Sequence, residues 1–164
     1  MEKLSQATDD MRDLLSEIAI TKTVTGYMVA VDARRWDDLP PFFAEEVFVD
    51  YTSVRAVPPA ASLRREDMIA RWRSRYDQVT AYQHELSNVV VRVSGDRAIC
   101  TGNNAASLVK PDAQSDQIVL WQAGVRLNWE LQCRDKRDWV ITSIRAEHVW
   151  DRTEPYSGQL RSQG

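Results

Sequence analysis

An α+β fold is what this sequence predicts, because helical periodicity fills its first half and strand periodicity its second. Three observations carry the prediction. Apolar residues recur at three- and four-residue steps through the first 35 residues. A second helical pattern ends near residue 77. From Ala81 onward the period changes to two, in four long runs separated by short turn sequences. Together they describe a curved, mixed or antiparallel sheet wrapped around a long N-terminal helix, with two further helices enclosing a pocket. At 164 residues the chain has the length of one domain, expected over residues 8–152, with residues 1–7 and 153–164 as flexible termini.

The first helix is expected from about Thr8 to Arg35. Met11, Leu14, Leu15, Ile18, Val24, Tyr27, Met28 and Val31 form its apolar stripe, with Thr8 or Asp9 as the cap. Gly26 inside the pattern points to a bend or to close packing. Trp36 to Phe43 reads as a short second helix that opens on acids and tolerates early proline. Val47 to Tyr51 alternates as a strand, and residues 57–62 read as a loop. A third helix runs from Arg64 to about Asp77, with Met68, Ile69, Trp72 and Tyr76 on its buried side. The four strands that follow are expected at about 82–93, 98–109, 117–134 and 139–150. Their turns lie at Ser94-Gly95-Asp96, Lys110-Pro111-Asp112 and residues 135–138. In the third of these strands Ala123, Val125, Leu127, Trp129, Leu131 and Cys133 share one face, which reads as a subunit interface. Gly124, Arg126, Asn128, Glu130 and Gln132 share the other.

Composition excludes several function classes. Hydrophobic residues make up 43% and charged residues 27%, the range of a globular chain. A net charge of −3, from 21 basic and 24 acidic residues, gives no electrostatic reason to bind nucleic acid or an anionic membrane. The charged N-terminus lacks the apolar core of a signal peptide, and no apolar run is read as long enough to span a membrane, so a cytoplasmic protein is expected. Cys100 and Cys133 lie far apart in strand-like runs and read as small buried hydrophobes.

The sequence has no glycine-rich phosphate loop, HExxH, G-x-S-x-G or dinucleotide fingerprint. Its two histidines, His84 and His148, are too few for a multi-histidine metal site. Neither a metal nor an organic cofactor is therefore expected, and any chemistry falls to acids, His84, tyrosines and amides. Asp32 stands at the C-terminal end of the first helix, where the helix dipole disfavours an acid. Such an acid either has a task or merely ends the helix, pairing with Arg34 or Arg35. His84 opens a strand and is either a packed structural residue or a base suited to neutral pH. An Asp–His pair would fix its tautomer. Tyr27 and Tyr51 read as core aromatics whose hydroxyls need partners. Asn128 and Arg126 are polar in mid-strand, on the face where Gly124 leaves room. Trp72, Trp121, Trp129, Phe42 and Phe43 are available to line a cavity.

The segment from Tyr27 through Asp32 to Trp36-Asp37-Asp38-Leu39 resembles SnoaL-like and scytalone-dehydratase-like members of the NTF2-like superfamily. The similarity continues through Val49-Asp50-Tyr51, Gln83-His84, Asn128, Asp138-Trp139-Val140-Ile141 and Val149-Trp150, spanning roughly residues 15 to 150. The resemblance implies a cone-shaped fold and cofactor-free dehydratase, dehydrochlorinase, cyclase or isomerase chemistry, carried out by a homodimer or homotrimer. It implies that Asp32 orients His84, which takes a proton from carbon in a small hydrophobic, polycyclic substrate. Tyr27 and Tyr51 match pocket tyrosines of the dehydratases, and Asn128 matches a ligand-contacting asparagine. Where the family has a second pocket histidine or an aspartate, the strand from Thr101 to Val109 offers only Asn103, Asn104, Ser107 and Leu108. Arg145 corresponds to a late basic residue of the family. Elimination with a good leaving group, isomerisation or cyclisation asks less of such a site than a dehydration needing a separate acid. The same fold also serves as a non-catalytic ligand-binding or assembly module, such as the small subunit of a ring-hydroxylating dioxygenase.

Overall fold

The computed structural model describes residues 2–54, 59–115, 117–135 and 138–158. Helix α1 spans Glu2–Asp32, so it begins six residues before the expected cap and ends on the aspartate itself. Trp36–Asp38 and Pro40–Phe42 form two 3₁₀ turns rather than one helix, and helix α2 spans Arg65–Tyr76. The strands are β1 (Phe43–Asp50), β2 (Ala61–Arg64), β3 (Ala81–Ser94), β4 (Arg97–Pro111), β5 (Ile118–Cys133) and β6 (Trp139–Pro155). They form one sheet in the order β2-β1-β6-β5-β4-β3, antiparallel throughout except for the parallel pair β1–β6. This is the mixed α+β architecture that the periodicities predict.

Two expectations are corrected at the edges. Ala61 and Ser62 belong to the short strand β2, paired with Val49 and Phe48, while residues 57 and 58 of the expected loop lie outside the described residues. Residues 153–155 are not a loose tail, since Trp121, Leu120 and Val119 pair with Thr153, Glu154 and Pro155. Residues 159–164 of that tail, and Lys136 and Arg137 of the last turn, again lie outside the described residues.

The core sits between α1 and the concave face of the sheet. Ile20, Val24, Tyr27, Met28 and Val31 are buried there, with Phe43, Leu39, Trp129 and Ile144. Each fully buried side chain of this kind contributes about 1.5–3 kcal/mol. The expected stripe is only half right, because Met11, Leu14 and Ile18 lie on the exposed side of the first helical turns. By length and composition the helical segment Asp10–Asp32, whose most apolar 18-residue stretch has a mean hydropathy of 1.3, could also cross a membrane, which corrects the reading that no run is long enough. In the fold its inner side is packed against β3 and β6.

Gly26 is explained by close packing: a Cβ there would stand 2.7 Å from the Phe42 ring. Register shifts bend the long strands, at Ser87/Val90 in β3 and at Gly124/Val125 and Glu130/Leu131 between β5 and β6. Asn88 carries the first bulge at φ +52°, in the left-handed region that asparagine tolerates. The bent sheet, α1 and α2 together enclose a cavity of about 430 Å³.

Candidate active site

Three chain segments meet at one end of this cavity: the last turn of α1, the end of α2 and the start of β3. Arg34, at φ +54°, reverses the chain after α1. Its guanidinium donates to the carbonyls of Tyr76 (3.1 Å) and Val79 (2.7 Å), tying α1 to the end of α2. The Tyr82 hydroxyl donates to the Val31 carbonyl at 2.8 Å, tying β3 to the same turn. Arg34 is thus occupied with backbone, and Arg35 pairs with Asp38 at 3.5 Å. Neither takes Asp32.

Asp32 instead accepts twice from His84. One carboxylate oxygen receives the His84 backbone N–H at 2.9 Å, and the other receives the ring at Nδ1, 2.6 Å away. These two donors offset the cost of holding a carboxylate at the negative end of a helix. Because a carboxylate only accepts, Nδ1 carries the proton and the Nε2 lone pair points away from Asp32. The two side chains are largely enclosed, at 12% exposure for His84 and 23% for Asp32.

At Nε2 the ring meets a residue that sequence reasoning treated only as core. The Tyr76 hydroxyl lies 3.1 Å from His84 Nε2. With Nδ1 protonated, the tyrosine is the donor and Nε2 the acceptor. The Tyr76 ring is held by Tyr82 (centroids 4.3 Å apart) and Trp36 (6.1 Å). Burial raises the Tyr76 pKa, against the opposing influence of Arg75, so the phenol stays protonated.

His84, Tyr76, Tyr27, Tyr51 and Trp72 all line the cavity, as does Trp121. Tyr27 is buried and accepts a hydrogen bond from Trp129 Nε1 at 3.1 Å. Burial raises the pKa of Tyr27 and of Tyr51, so both hydroxyls are donors. Tyr27 stacks on Trp72, with ring centroids 6.1 Å apart. Trp129 and Phe43 are packed in the core rather than on the cavity wall, and Phe42 covers Gly26.

Arg126 and Asn128 do not reach this cavity. The apolar alternation of β5 faces inward, so Val125 and Leu127 line the wall while Arg126 and Asn128 stand exposed on the outer face. Arg126 pairs there with Glu147 at 3.2 Å. The room expected at Gly124 is filled by the Trp150 indole. Arg145 lies on the same outer face, against Glu130 and the Phe48 ring.

The amide inside the cavity is Asn104, on β4 next to the strand that carries His84. It is 6% exposed, and its Oδ1 has no hydrogen-bond partner among the described residues. A buried, unpaired acceptor costs roughly 1–3 kcal/mol unless something occupies it. The strand's own alternation carries the signal, since Asn104 shares its inner face with Ala106 and Leu108. At the rim stand Arg71 and Arg75, one turn apart on α2.

The wall is otherwise apolar, with Met28, Val31, Val49, Leu63 and Met68 among the residues facing in. Such a cavity can bind a flat apolar molecule and hold its oxygens against tyrosine hydroxyls and one amide. Its Asp–His pair presents a nitrogen base in a largely dry place.

Known proteins bear on this fold. A structure from Kribbella flavida superposes with a TM-score of 0.73 at 19% identity, covering 82% of this chain and 91% of its own. The hexachlorocyclohexane dehydrochlorinase of Novosphingobium barchaimii superposes at 0.71 with 14% identity, covering 94% of this chain and 99% of the enzyme. At such identities the likeness is one of fold. An uncharacterised protein of Mycobacterium tuberculosis is 28% identical over 96 residues, 58% of this chain and 62% of the relative. The chain therefore matches under two thirds of the length of the curated relatives it resembles. The SnoaL-like domain family matches residues 12–145, most of the sequence and nearly all of the sheet, and the chain belongs to that family.

Proposed function

We propose that this protein is a cofactor-independent lyase or isomerase in which His84 removes a proton from an activated carbon of a small, flat, mostly apolar substrate. The observation that carries this reading is the pair of hydrogen bonds that Asp32 accepts from the backbone and ring of His84 at the wall of an apolar cavity. Asp32 fixes the tautomer that leaves Nε2 as the base and stabilises the imidazolium formed on proton transfer. Asn104, rather than the outward Asn128, would act on the substrate: its amide N–H group, with the hydroxyls of Tyr27 and Tyr51, would donate to the carbonyl that activates the C–H bond. The family and a dehydrochlorinase of the same fold support elimination or isomerisation as the reaction class. A non-catalytic assembly module is the alternative suggested by the apolar face of β5 and by the lack of a second histidine or an aspartate between Thr101 and Val109; the first of these supports it no longer, since that face lines the cavity and core.

The test uses a probe whose leaving group needs no protonation: the acetate ester of the β-hydroxy ketone formed from naphthaldehyde and acetone. Elimination gives a conjugated naphthyl enone that is followed by absorbance. The wild-type protein is expected to accelerate it, and His84→Gln to lose about 10²–10⁴-fold in kcat/KM. An unchanged rate in His84→Gln would remove His84 from the reaction.

A further inference from the structure

The base of this site is not open to the cavity by itself. The hydroxyl of Tyr76 sits on Nε2, the only nitrogen of His84 left for chemistry, and Tyr76 lines the same cavity. Its position is built rather than incidental. Arg34 holds the Tyr76 carbonyl, Trp36 and Tyr82 hold the ring, and Asp32 holds the imidazole it meets. Among the described residues lining the cavity there is no aspartate or glutamate, and His84 is the one histidine. Among them a dehydration therefore finds no carboxylic acid or second imidazole, separate from the base, to protonate a departing hydroxyl.

We propose that Tyr76 is a catalytic residue, the acid that protonates a leaving hydroxyl, and that it works with His84 as a closed proton relay on one face of the substrate. The proposal rests on His84 being the base. The phenol gives its proton to the leaving oxygen as the carbon–oxygen bond breaks and that electron pair departs with water. His84 Nε2, released from the phenol, takes the proton from the neighbouring carbon, and the electrons of that bond form the double bond. The imidazolium then returns its new proton to the phenolate oxygen 3.1 Å away, which restores both groups. No proton enters from solvent and no further reactant is needed.

The geometry sets two consequences. Because both groups stand within one hydrogen bond of each other, the abstracted proton and the departing oxygen leave from the same side of the substrate. Because burial disfavours a lasting tyrosinate, the phenol can act as an acid only when His84 refills it in the same turnover. The substrate class is thus narrowed to β-hydroxy carbonyl compounds with a flat apolar body.

The experiment compares the naphthyl β-hydroxy ketone with its acetate ester in the wild type, Tyr76→Phe and His84→Gln. Tyr76→Phe removes one hydroxyl and keeps the ring that packs on Trp36 and Tyr82. It is expected to lower kcat/KM for the alcohol by at least about 10²-fold more than for the acetate, which needs the base but no acid. His84→Gln is expected to lower both. Equal losses on both compounds in Tyr76→Phe would make Tyr76 a positioning residue and overturn the proposal, as would no loss on either. A wild type that eliminates acetate but not water would overturn the acid role alone and leave the base intact. A wild type that eliminates neither, or a His84→Gln variant as fast as wild type on the acetate, would instead contradict the base itself and Tyr76 with it.

Discussion

Among the described residues two histidine–aspartate pairs occur, and the histidine of one of them lines the cavity. Asp32 and His84 come from different elements, 52 residues apart, and are 2.6 Å apart at Oδ1 and Nδ1. His148 and Asp151 lie three residues apart on β6, with Nε2 and Oδ1 at 2.9 Å. In the first pair the carboxylate also takes the histidine's backbone N–H, and the second ring nitrogen meets Tyr76. In the second pair the His148 backbone N–H goes to the Ser53 hydroxyl instead, and neither partner lines the cavity. The pairing distance alone therefore does not make a site. Of the two pairs, the first is the proposed base because its histidine lines the cavity and meets a third group at its second ring nitrogen.

The largest expected difference is catalytic. Asp32→Asn and His84→Gln should each lower elimination of the acetate probe by about 10²–10⁴-fold, whereas His148→Gln and Asp151→Asn should leave it unchanged. A comparable loss in either His148 or Asp151 variant would break the comparison. Stability should separate the pairs less widely. Asp32→Asn gives up charge-assisted bonds to a backbone N–H and a ring, and should cost about 1–3 kcal/mol. Asp151→Asn should cost under about 1 kcal/mol, both values read from urea midpoints at constant m.

Alkaline pH should expose the tyrosines that surround only the first pair. Tyr27, Tyr51 and Tyr76 have pKa values raised by burial. Their contribution is present in full below the unfolded-state value near 10 and is lost as pH rises toward the folded-state values, because the unfolded chain releases protons that the folded chain keeps. Stability should fall by about 1.4 kcal/mol per pH unit for each such tyrosine above pH of about 10. Tyr51→Phe should remove one share of that slope in pH-dependent urea unfolding. The smallest effect is expected near the second pair. Gly124→Ala would push the Trp150 indole aside, since its Nε1 lies 2.1 Å from the new Cβ. Trp150 is 47% exposed and can swing outward, so thermal or urea unfolding should shift by about 0.5 kcal/mol and elimination should not change.

The Asp32–His84 pair was legible because each residue is locally out of place: an acid at a helix C-terminus and a histidine opening a strand. The alternation of β5 separated its two faces correctly, but period two does not say which face is inside. An outward Val125 and Leu127 would form an interface and an inward Asn128 a ligand contact, and the fold reverses both. Alternation groups Asn104 with Ala106 and Leu108 on one face, yet that this face lines the cavity depends on how β4 registers between β3 and β5. Tyr76 carries the same helical spacing as Met68 and Trp72, so periodicity placed it in the core. Its hydroxyl meets His84 because Arg34 and Tyr82 bring three distant segments to one point. The paired residues 153–155 escaped notice because their polar sequence carries no apolar alternation, and their order comes from the partner strand.

The most direct measurement is the tautomer of each imidazole, read by long-range ¹H–¹⁵N correlation in alkaline buffer, where two histidines give two resolved systems. The account predicts opposite tautomers: His84 protonated at Nδ1, toward Asp32, and His148 protonated at Nε2, toward Asp151. In Asp32→Asn the His84 ring should lose its Nδ1 proton preference while His148 stays as it was. A His84 ring protonated at Nε2 in the wild type, or one indifferent to Asp32→Asn, would contradict the claim that Asp32 prepares His84 as the base of this cavity.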